Sequence, residues 1–186
     1  MDKIKKLENQ NIDLVPLERE NLDELVNNFT FAWVGAEKTG ARWQEWYAQH
    51  ESGERFVCLV KKDGRIVGYG SLLAESTYKP FEEDEVFEIA DVWIAKPERE
   101  QGLATLLITY FESIAHDEEA TYIGMGVPLY AAYAAAQCLC VRLGYLPDGQ
   151  GMTYKGVPVV PGKQYSVDDD LRLWFIKDLS AQQDEE

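Results

Sequence analysis

Cysteine is scarce in this chain of 186 residues, which has only Cys58, Cys138 and Cys140. So few thiols cannot build the disulfide framework of a small secreted domain, and we expect a reducing compartment. Histidine is scarcer still, and neither His50 nor His116 has a partner at metal-ligand spacing. Cys138 and Cys140 lie two residues apart on a predicted helix and point to different faces, so they cannot coordinate the same metal ion. The sequence therefore predicts no metal site.

Basic residues are also few. The chain has 18 Lys and Arg against 33 Asp and Glu, a net charge of −15. Such an acidic chain is a poor partner for nucleic acid and for anionic membrane surfaces, and it attracts cations, including amines. No apolar run approaches the ~18 residues of a membrane-spanning helix, and residues 1–6 lack the apolar core of a signal peptide. We therefore expect a cytoplasmic protein with no nucleic-acid or membrane partner.

Apolar residues, in contrast, make up 46% of the chain, enough for a substantial core. The length predicts one domain over residues 1–186. Strands are predicted at residues 12–17, 56–60, 66–73, 86–94, 121–127, 152–160 and 171–176, and helices at 22–26, 32–49, 103–114 and 129–143. Asp63-Gly64 predicts a hairpin turn, since both of its turn positions need positive φ. Residues 76–85 are predicted to form a loop. The order of elements indicates a mixed α/β domain.

The loop between the strand at 86–94 and the next helix is the segment best suited to chemistry. The first N–H groups of a helix lack internal partners and carry partial positive charge, so they form an anion site. Gly102 lets the backbone approach a bulky oxyanion such as a pyrophosphate, and Arg99 can add a charge-assisted contact. The alternative is an ordinary junction in which the glycine only relieves crowding.

Residues 99–104, Arg-Glu-Gln-Gly-Leu-Ala, resemble the Q/R-x-x-G-x-G/A motif of the GNAT superfamily of N-acetyltransferases. The leucine-rich helix that follows, the strand at 122–127 and the segment 136–145 extend the likeness, the last of these resembling the family's A-x-x-L-Y-x-K-x-G-F ending. The resemblance implies a mixed central sheet of about six to seven strands with a splayed parallel pair, flanked by about four helices. It also implies acetyl-CoA as the acyl donor.

The same resemblance implies where acetyl-CoA binds. The pantetheine arm would pair with the strand edge at Val92, Trp93 and Ile94, and the N–H of Ile94 would steady the oxyanion formed when an amine attacks the thioester. The pyrophosphate would lie on the amides of Arg99, Glu100, Gln101, Gly102, Leu103, Ala104 and Thr105. One departure from the family is minor: Lys96 stands where proline is usual, and Pro97 follows it.

Glu88 matches the position of the glutamate base in some family members, 11 residues before Arg99. Burial in an apolar strand would raise its pKa toward a useful value, although a strand carboxylate facing solvent is an open alternative. Asp91 is the rival carboxylate, and strand alternation places it on the opposite face unless a bulge intervenes. Water chains replace a carboxylate base in many members.

The general acid is the main departure from the family. Cys140 stands where the family has a tyrosine, and its thiol, with an ordinary pKa of ~8.5, can donate a proton. A small buried helix residue is the alternative interpretation. Tyr133 lies seven residues earlier on the same helix face, and it or Tyr130 could supply the hydroxyl instead.

These observations predict an acetyl-CoA-dependent N-acetyltransferase that acts on the primary amine of a small molecule, as a monomer or homodimer. The acidic cluster Glu82–Glu85 and the net charge favour a cationic amine. The aromatic residues between Trp33 and Tyr47 are interpreted as core and cleft wall, with a lid over the amine as the alternative. Gly124-x-Gly126 is only a weak dinucleotide signal. The alternative function is a non-catalytic acyl-CoA-binding or interaction module with the same fold.

Overall fold

The computed structural model describes residues 11–31 and 35–180. The strands in this part are β1 Ile12–Pro16, β2 Phe56–Lys62, β3 Arg65–Leu73, β4 Phe87–Ile94, β5 Tyr122–Pro128, β6 Leu146–Tyr154, β7 Val157–Pro158 and β8 Leu171–Asp178. The α-helices are α1 Leu22–Asn28, α2 Ala36–Ser52, α3 Lys79–Glu83, α4 Leu103–Asp117 and α5 Ala134–Arg142. Short 3₁₀ turns cover Arg19–Asn21, Lys96–Glu98 and Ala131–Tyr133.

Within the described residues the eight strands form one mixed sheet in the order β1-β2-β3-β4-β5-β8-β6-β7. Its parallel pair is β4 and β5, joined at Phe87–Ile123 and Glu88–Gly124. The expected mixed sheet is confirmed, with one strand and one helix more than the sequence predicted. No helix in the described ranges is both long and apolar enough to cross a membrane.

The described chain divides into two compact units, and β4 contributes residues to both. The first unit comprises residues 11–31, 35–73 and 91–108. The second unit comprises residues 74–90 and 109–180. The expectation of a single domain over residues 1–186 stays a prediction.

An aromatic core fills the first unit. Trp43 and Trp46 of α2 are buried and pack edge to face, with ring centroids 5.2 Å apart, and both rings also contact Phe31 and Tyr69. Aromatic pairs in this geometry stabilise a core beyond their buried area. These two tryptophans are therefore core residues rather than a lid, while Trp33 lies outside the described residues. The predicted hairpin at Asp63-Gly64 is confirmed, with φ of 51° and 76° at its two turn residues.

The second unit is built on β5 and β8, which pair antiparallel over seven residues from Tyr122–Asp178 to Pro128–Arg172. Strand β6 follows on the other side of β8, and β7 folds back on β6. The two-residue tip of this last hairpin is Lys155-Gly156, with φ of 54° and 75°.

Two predicted boundaries in the second unit are wrong for physical reasons. Residues 76–85 are not all loop, because α3 forms there once Phe81, 1% exposed, is buried against Trp174. The strand predicted at 152–160 begins instead at Leu146 and is interrupted by an irregularity between Pro147 and Met152. In both places contacts with distant parts of the chain determine the secondary structure, because the local sequence pattern is weak.

Candidate active site

The second half of β4 carries the residues predicted to meet the pantetheine arm. The Trp93 side chain packs into the core of the first unit, with its ring centroid 5.2 Å from that of Phe29 and 5.9 Å from that of Tyr69. Trp93 is partly buried and Ile94 is buried. Because these side chains are committed to the core, only the main chain of the strand edge is suited to bind a ligand.

Asp91, the rival base, has φ of 57° in the left-handed region, a departure from extended backbone like that at a β-bulge. Its carboxylate lies 2.8 Å from Nη1 of Arg55. The Arg55 guanidinium in turn lies over the Trp46 ring, 4.7 Å from its centroid. Asp91 is therefore held in an ion pair of the first unit, which makes it a poor candidate for a proton acceptor.

The loop before α4 has the backbone of an anion site. Glu100 and Gly102 have φ of 62° and 91°, and the Gly102 carbonyl accepts the first helical hydrogen bond, from the Leu106 N–H at 2.9 Å. The amides at the start of α4 consequently have no partner further back in the helix. Glycine is needed at position 102 because side-chain-bearing residues rarely adopt that φ.

Side chains of the same loop hold it in place. Arg99 Nε donates to the main-chain oxygen of Ile94 at 2.9 Å, and its guanidinium carbon lies 6.0 Å from the centroid of the Trp93 ring. Arg99 therefore ties the loop back to the end of β4. The partner in this hydrogen bond is a neutral carbonyl, not a carboxylate.

Lys62, which sequence reasoning missed, is the second anchor of the loop. Its ammonium donates to Glu98 Oε2 at 2.7 Å and to Gln101 Oε1 at 2.9 Å. The hydrogen bond from Lys62 is the main cause that lowers the pKa of Glu98 below its ordinary value. Lys62 belongs to β2, so nothing in the motif itself could have pointed to it.

Glu88 lies in the second unit, where it lines a cavity of about 290 Å³. The other residues that line this cavity are Thr77, Tyr78, Lys155, Gly156, Asp170, Arg172 and Trp174. Glu88 is only 7% exposed, and its Oε2 accepts a hydrogen bond from Ser76 Oγ at 2.5 Å. The structure thus places Glu88 in a buried position, not facing solvent.

Strand register explains why these residues meet. Glu88 pairs with Gly124 of β5, and along the β5–β8 ladder Gly126 faces Trp174 and Pro128 faces Arg172. Residues two apart on a strand share a face, so the side chains of Glu88, Trp174 and Arg172 belong to one face of the sheet. This alignment joins segments that are 84 residues apart in the sequence.

Aromatic rings form a rigid wall of the cavity. Tyr78 and Trp174 stack with centroids 4.0 Å apart and planes 3° from parallel. The Tyr78 hydroxyl donates to Asp148 Oδ2 at 2.7 Å, and Trp174 Nε1 donates to Thr153 Oγ1 at 2.9 Å. Burial, followed by the Asp148 carboxylate, raises the pKa of Tyr78 well above its ordinary value. Both rings are consequently fixed by stacking and by hydrogen bonds.

The glycines of β5 make room for this wall. A Cβ atom at Gly126 would lie 2.8 Å from the Trp174 ring, and one at Gly124 would lie 2.4 Å from the Phe81 ring. Gly124-x-Gly126 is thus explained by close packing of aromatic rings on the sheet, without any dinucleotide.

The two candidates for the general acid lie elsewhere in the second unit. Cys140 is 1% exposed, with Sγ 3.3 Å from Met125 Sδ, and burial raises its pKa to about 11. Tyr133 is half-buried beside Tyr130, and burial, then the charge of Asp169, raises its pKa. Among the described residues, neither Cys140 nor Tyr133 belongs to the lining of the Glu88 cavity.

The acidic cluster Glu82–Glu85 is also separate from the cavity lining in the described chain. Lys79 lies 3.7 Å from a carboxylate oxygen of Glu82 and 3.8 Å from one of Glu83, and all three side chains are exposed. Exposed pairs of this kind contribute little to stability and mark a solvated face. Across residues 11–31 and 35–180, no group of three or more His, Cys, Asp or Glu side chains is placed to hold a metal ion.

The model of the acetyltransferase (GNAT) family matches residues 20–145, more than half of the chain. The protein therefore belongs to the GNAT acetyltransferase family, and the expected class of enzyme, with acetyl-CoA as acyl donor, is confirmed. A search of curated protein sequences returned no significant match.

Solved structures share the whole fold at low sequence identity. An N-acetyltransferase from Staphylococcus aureus Mu50 is 15% identical, with a TM-score of 0.67 over 91% of this chain and 99% of that chain. An aminoglycoside 6'-N-acetyltransferase complexed with coenzyme A is 14% identical, with a TM-score of 0.61 over 90% and 97%. A ribosomal-protein-alanine N-acetyltransferase from Brucella melitensis is 17% identical, with a TM-score of 0.63 over 89% and 99%. At these identities the likeness establishes the GNAT fold alone.

Proposed function

We propose that this protein is an acetyl-CoA-dependent N-acetyltransferase that acetylates the primary amine of a small molecule, with Glu88 as the base. The observation that carries the proposal is the buried Glu88 carboxylate lining a cavity of about 290 Å³. That volume lies near the lower end of small-molecule sites, roughly 300–1,000 Å³. The similar structures include enzymes named for an aminoglycoside and for a ribosomal protein, so the size of the cavity supports the choice of a small acceptor.

The loop residues fit acetyl-CoA. Positive φ at Glu100 and Gly102 and the start of α4 at Leu103 leave main-chain amides for a pyrophosphate, and a side chain at position 102 would crowd it. The main chain of Val92 to Ile94 would hold the pantetheine arm. The cosubstrate supplies its acetyl group as a thioester and leaves as the free thiol, while the amine nitrogen bonds to the acetyl carbon.

Glu88 is built to take the proton of the amine. The Ser76 hydroxyl donates to Glu88 Oε2, and this bond fixes the orientation of the carboxylate. An amine bound in the cavity gives its proton to this carboxylate and gains the lone pair that attacks.

The leaving thiolate takes its proton from Tyr133 or Cys140, the two donors that we retain. Each has a raised pKa and keeps its proton at neutral pH. The thiol of Cys140 is packed against Met125, so its placement favours Tyr133. Comparison of the kcat of Tyr133→Phe with that of Cys140→Ala decides between them.

A screen of amines for acetyl-CoA-dependent thiol release tests the proposal. We expect Glu88→Gln to lower kcat/KM by about 100-fold or more, because a positioned base contributes roughly 10²–10⁴. The matched control is Glu83→Gln, an exposed residue of α3, with unchanged turnover. Equal turnover of Glu88→Gln and wild type would refute the role of Glu88 as the base. Acetyl-CoA binding without thiol release for any amine would favour the non-catalytic module.

The proposal also covers the charge of the amine, the cellular compartment and the oligomeric state. The net charge of −15 supports encounter with a protonated, cationic amine, although Glu82–Glu85 does not border the cavity. The three free cysteines support a reducing, cytoplasmic location. We propose a monomer or homodimer, which sedimentation analysis of the purified chain distinguishes.

A further inference from the structure

The walls of the Glu88 cavity carry balanced charge, unlike the chain as a whole. Glu88 and Asp170 are acidic, Lys155 and Arg172 are basic, and their formal charges cancel. Two of the 18 basic residues of this chain, whose net charge is −15, line one small cavity. This local balance does not match a purely cationic ligand.

Two of these four charges lie at the rim and face each other. Lys155 Nζ lies 4.0 Å from Asp170 Oδ2, and their side chains are 67% and 46% exposed. Lys155 sits at the tip of the β6–β7 hairpin, where solvent screens its charge. The other two charged residues of the lining are Glu88 and Arg172, of opposite sign.

Arg172 is positioned without losing its charge. Its Nε donates to the main-chain oxygen of Asp169 at 2.7 Å, a neutral partner, while the Asp169 carboxylate accepts from the Tyr130 hydroxyl at 2.5 Å. The guanidinium carbon lies 6.0 Å from the centroid of the Trp174 ring. The guanidinium therefore lies near the Trp174 ring, and Arg172 and Trp174 both line the cavity.

The strand register sets the spacing of the two groups. Glu88 pairs with Gly124, and Arg172 pairs with Pro128 four residues further along β5, which is roughly 13 Å of backbone at ~3.3 Å per residue. Glu88 and Arg172 stand on β4 and β8, the strands on either side of β5, and both residues line the same cavity. A cavity of about 290 Å³ that is lined by a carboxylate and a guanidinium suits a small molecule with an amine at one end and an acidic group at the other.

We propose that the acceptor is a small zwitterionic amine, such as an amino acid, whose amine faces Glu88 and whose carboxylate is bound by Arg172. Guanidinium groups bind carboxylates through paired, charge-assisted hydrogen bonds, and a site that places a cation against the ligand discriminates against ligands that leave it unpaired. The inference rests on the proposed function, because it names the substrate class of the same site.

The test compares amino acids with their own carboxamides, which keep the amine and remove the negative charge. The panel is the common amino acids and their amides, with β-alanine and 4-aminobutanoate to vary the spacing and 1,4-diaminobutane as the cationic competitor. We expect the best acid to exceed its amide by about 10- to 100-fold in kcat/KM, the range for a hydrogen bond to a charged group. Arg172→Gln should bring the acid-to-amide ratio to about 1, and Arg172→Lys should give a ratio between that of Arg172→Gln and that of wild type.

The acid-to-amide ratio does not depend on how much of a variant is folded, so partial unfolding cannot imitate the effect. Arg142→Gln, at the exposed end of α5, removes the same charge outside the site and should keep the ratio. Ligand-observed NMR of the same acid and amide gives a second readout that needs no turnover. We expect wild type to bind the acid more tightly and Arg172→Gln to bind both alike.

The outcomes separate the two proposals. Thiol release with amides or diaminobutane equal to or better than with acids would overturn the zwitterionic acceptor and leave the acetyltransferase intact. Absence of thiol release with every amine would overturn the proposed function. In that case NMR binding still decides whether Arg172 recognises carboxylates, and equal binding of acid and amide would reject it.

Discussion

The loop of the first unit and the cavity of the second unit are two kinds of candidate binding site. The loop, residues 92–105, is contiguous in sequence and offers main-chain amides at a helix start. The cavity is assembled from four separate segments and offers side chains, Glu88 and Arg172 among them. A main-chain site depends on backbone conformation and can be recognised from a short sequence motif. A side-chain site depends instead on which strands become neighbours.

The two sites are also stabilised differently. The loop is fixed by polar anchors, chiefly Lys62 on Glu98 and Gln101. The cavity is fixed by stacked rings, Tyr78 on Trp174, that lie against glycines of β5. Substitutions in the loop should therefore affect acetyl-CoA binding, and substitutions in the cavity should affect the amine.

The largest expected effect is that of Gly102→Asp. The new side chain cannot easily adopt a φ of 91°, and its carboxylate would oppose the pyrophosphate. We expect acetyl-CoA affinity to fall by at least 100-fold in calorimetric titration, while circular dichroism shows a folded protein. Gly102→Ala, which brings strain without charge, should lose less affinity. Unchanged binding in both variants would remove the loop from the cofactor site.

Gly126→Ala is the matched change in the cavity, and its expected effect is smaller. The added Cβ would lie 2.8 Å from the Trp174 ring, which cannot move freely because Tyr78 is stacked on it. We expect a loss of about 1–3 kcal/mol in the free energy of unfolding and about a 10-fold lower kcat/KM for the amine. The dissociation constant of acetyl-CoA should not change. A variant that loses acetyl-CoA affinity instead would contradict the separation of the two sites.

Lys62→Gln is expected to have the smallest effect. Loss of the ammonium loosens the loop, so acetyl-CoA affinity should fall only about 3- to 10-fold, the scale of one partly exposed ion pair. Because Lys62 lowers the pKa of Glu98 in the folded state, the wild-type pair stabilises above the ordinary glutamate pKa and loses this contribution as pH falls below it. Urea unfolding between pH 3 and 7 should therefore show a weaker acid-side loss in the variant. The control is Lys79→Gln, with exposed partners.

Sequence reasoning reached the fold class, the Asp63-Gly64 hairpin, the start of α4 at Leu103 and the GNAT motif, since each is a local pattern. It missed α3 and the Lys155-Gly156 hairpin, which form where the local signal is weak and a distant partner decides. Glu88 is predicted because its position, 11 residues before Arg99, matches the glutamate base of some GNAT members, but its hydrogen bond with Ser76 and its place in a cavity required the structure.

What the sequence determined by itself is the chemistry of contiguous residues: a strand, a glycine with a required φ, and a helix start whose main-chain amides suit an anion. Only the tertiary structure decided which residues surround Glu88. The register of β4, β5 and β8 brings Trp174 and Arg172 onto its face of the sheet and gives that cavity a balanced charge within an acidic chain. Local patterns record backbone preferences over a few residues, whereas pairing between distant strands depends on the whole set of contacts formed on folding.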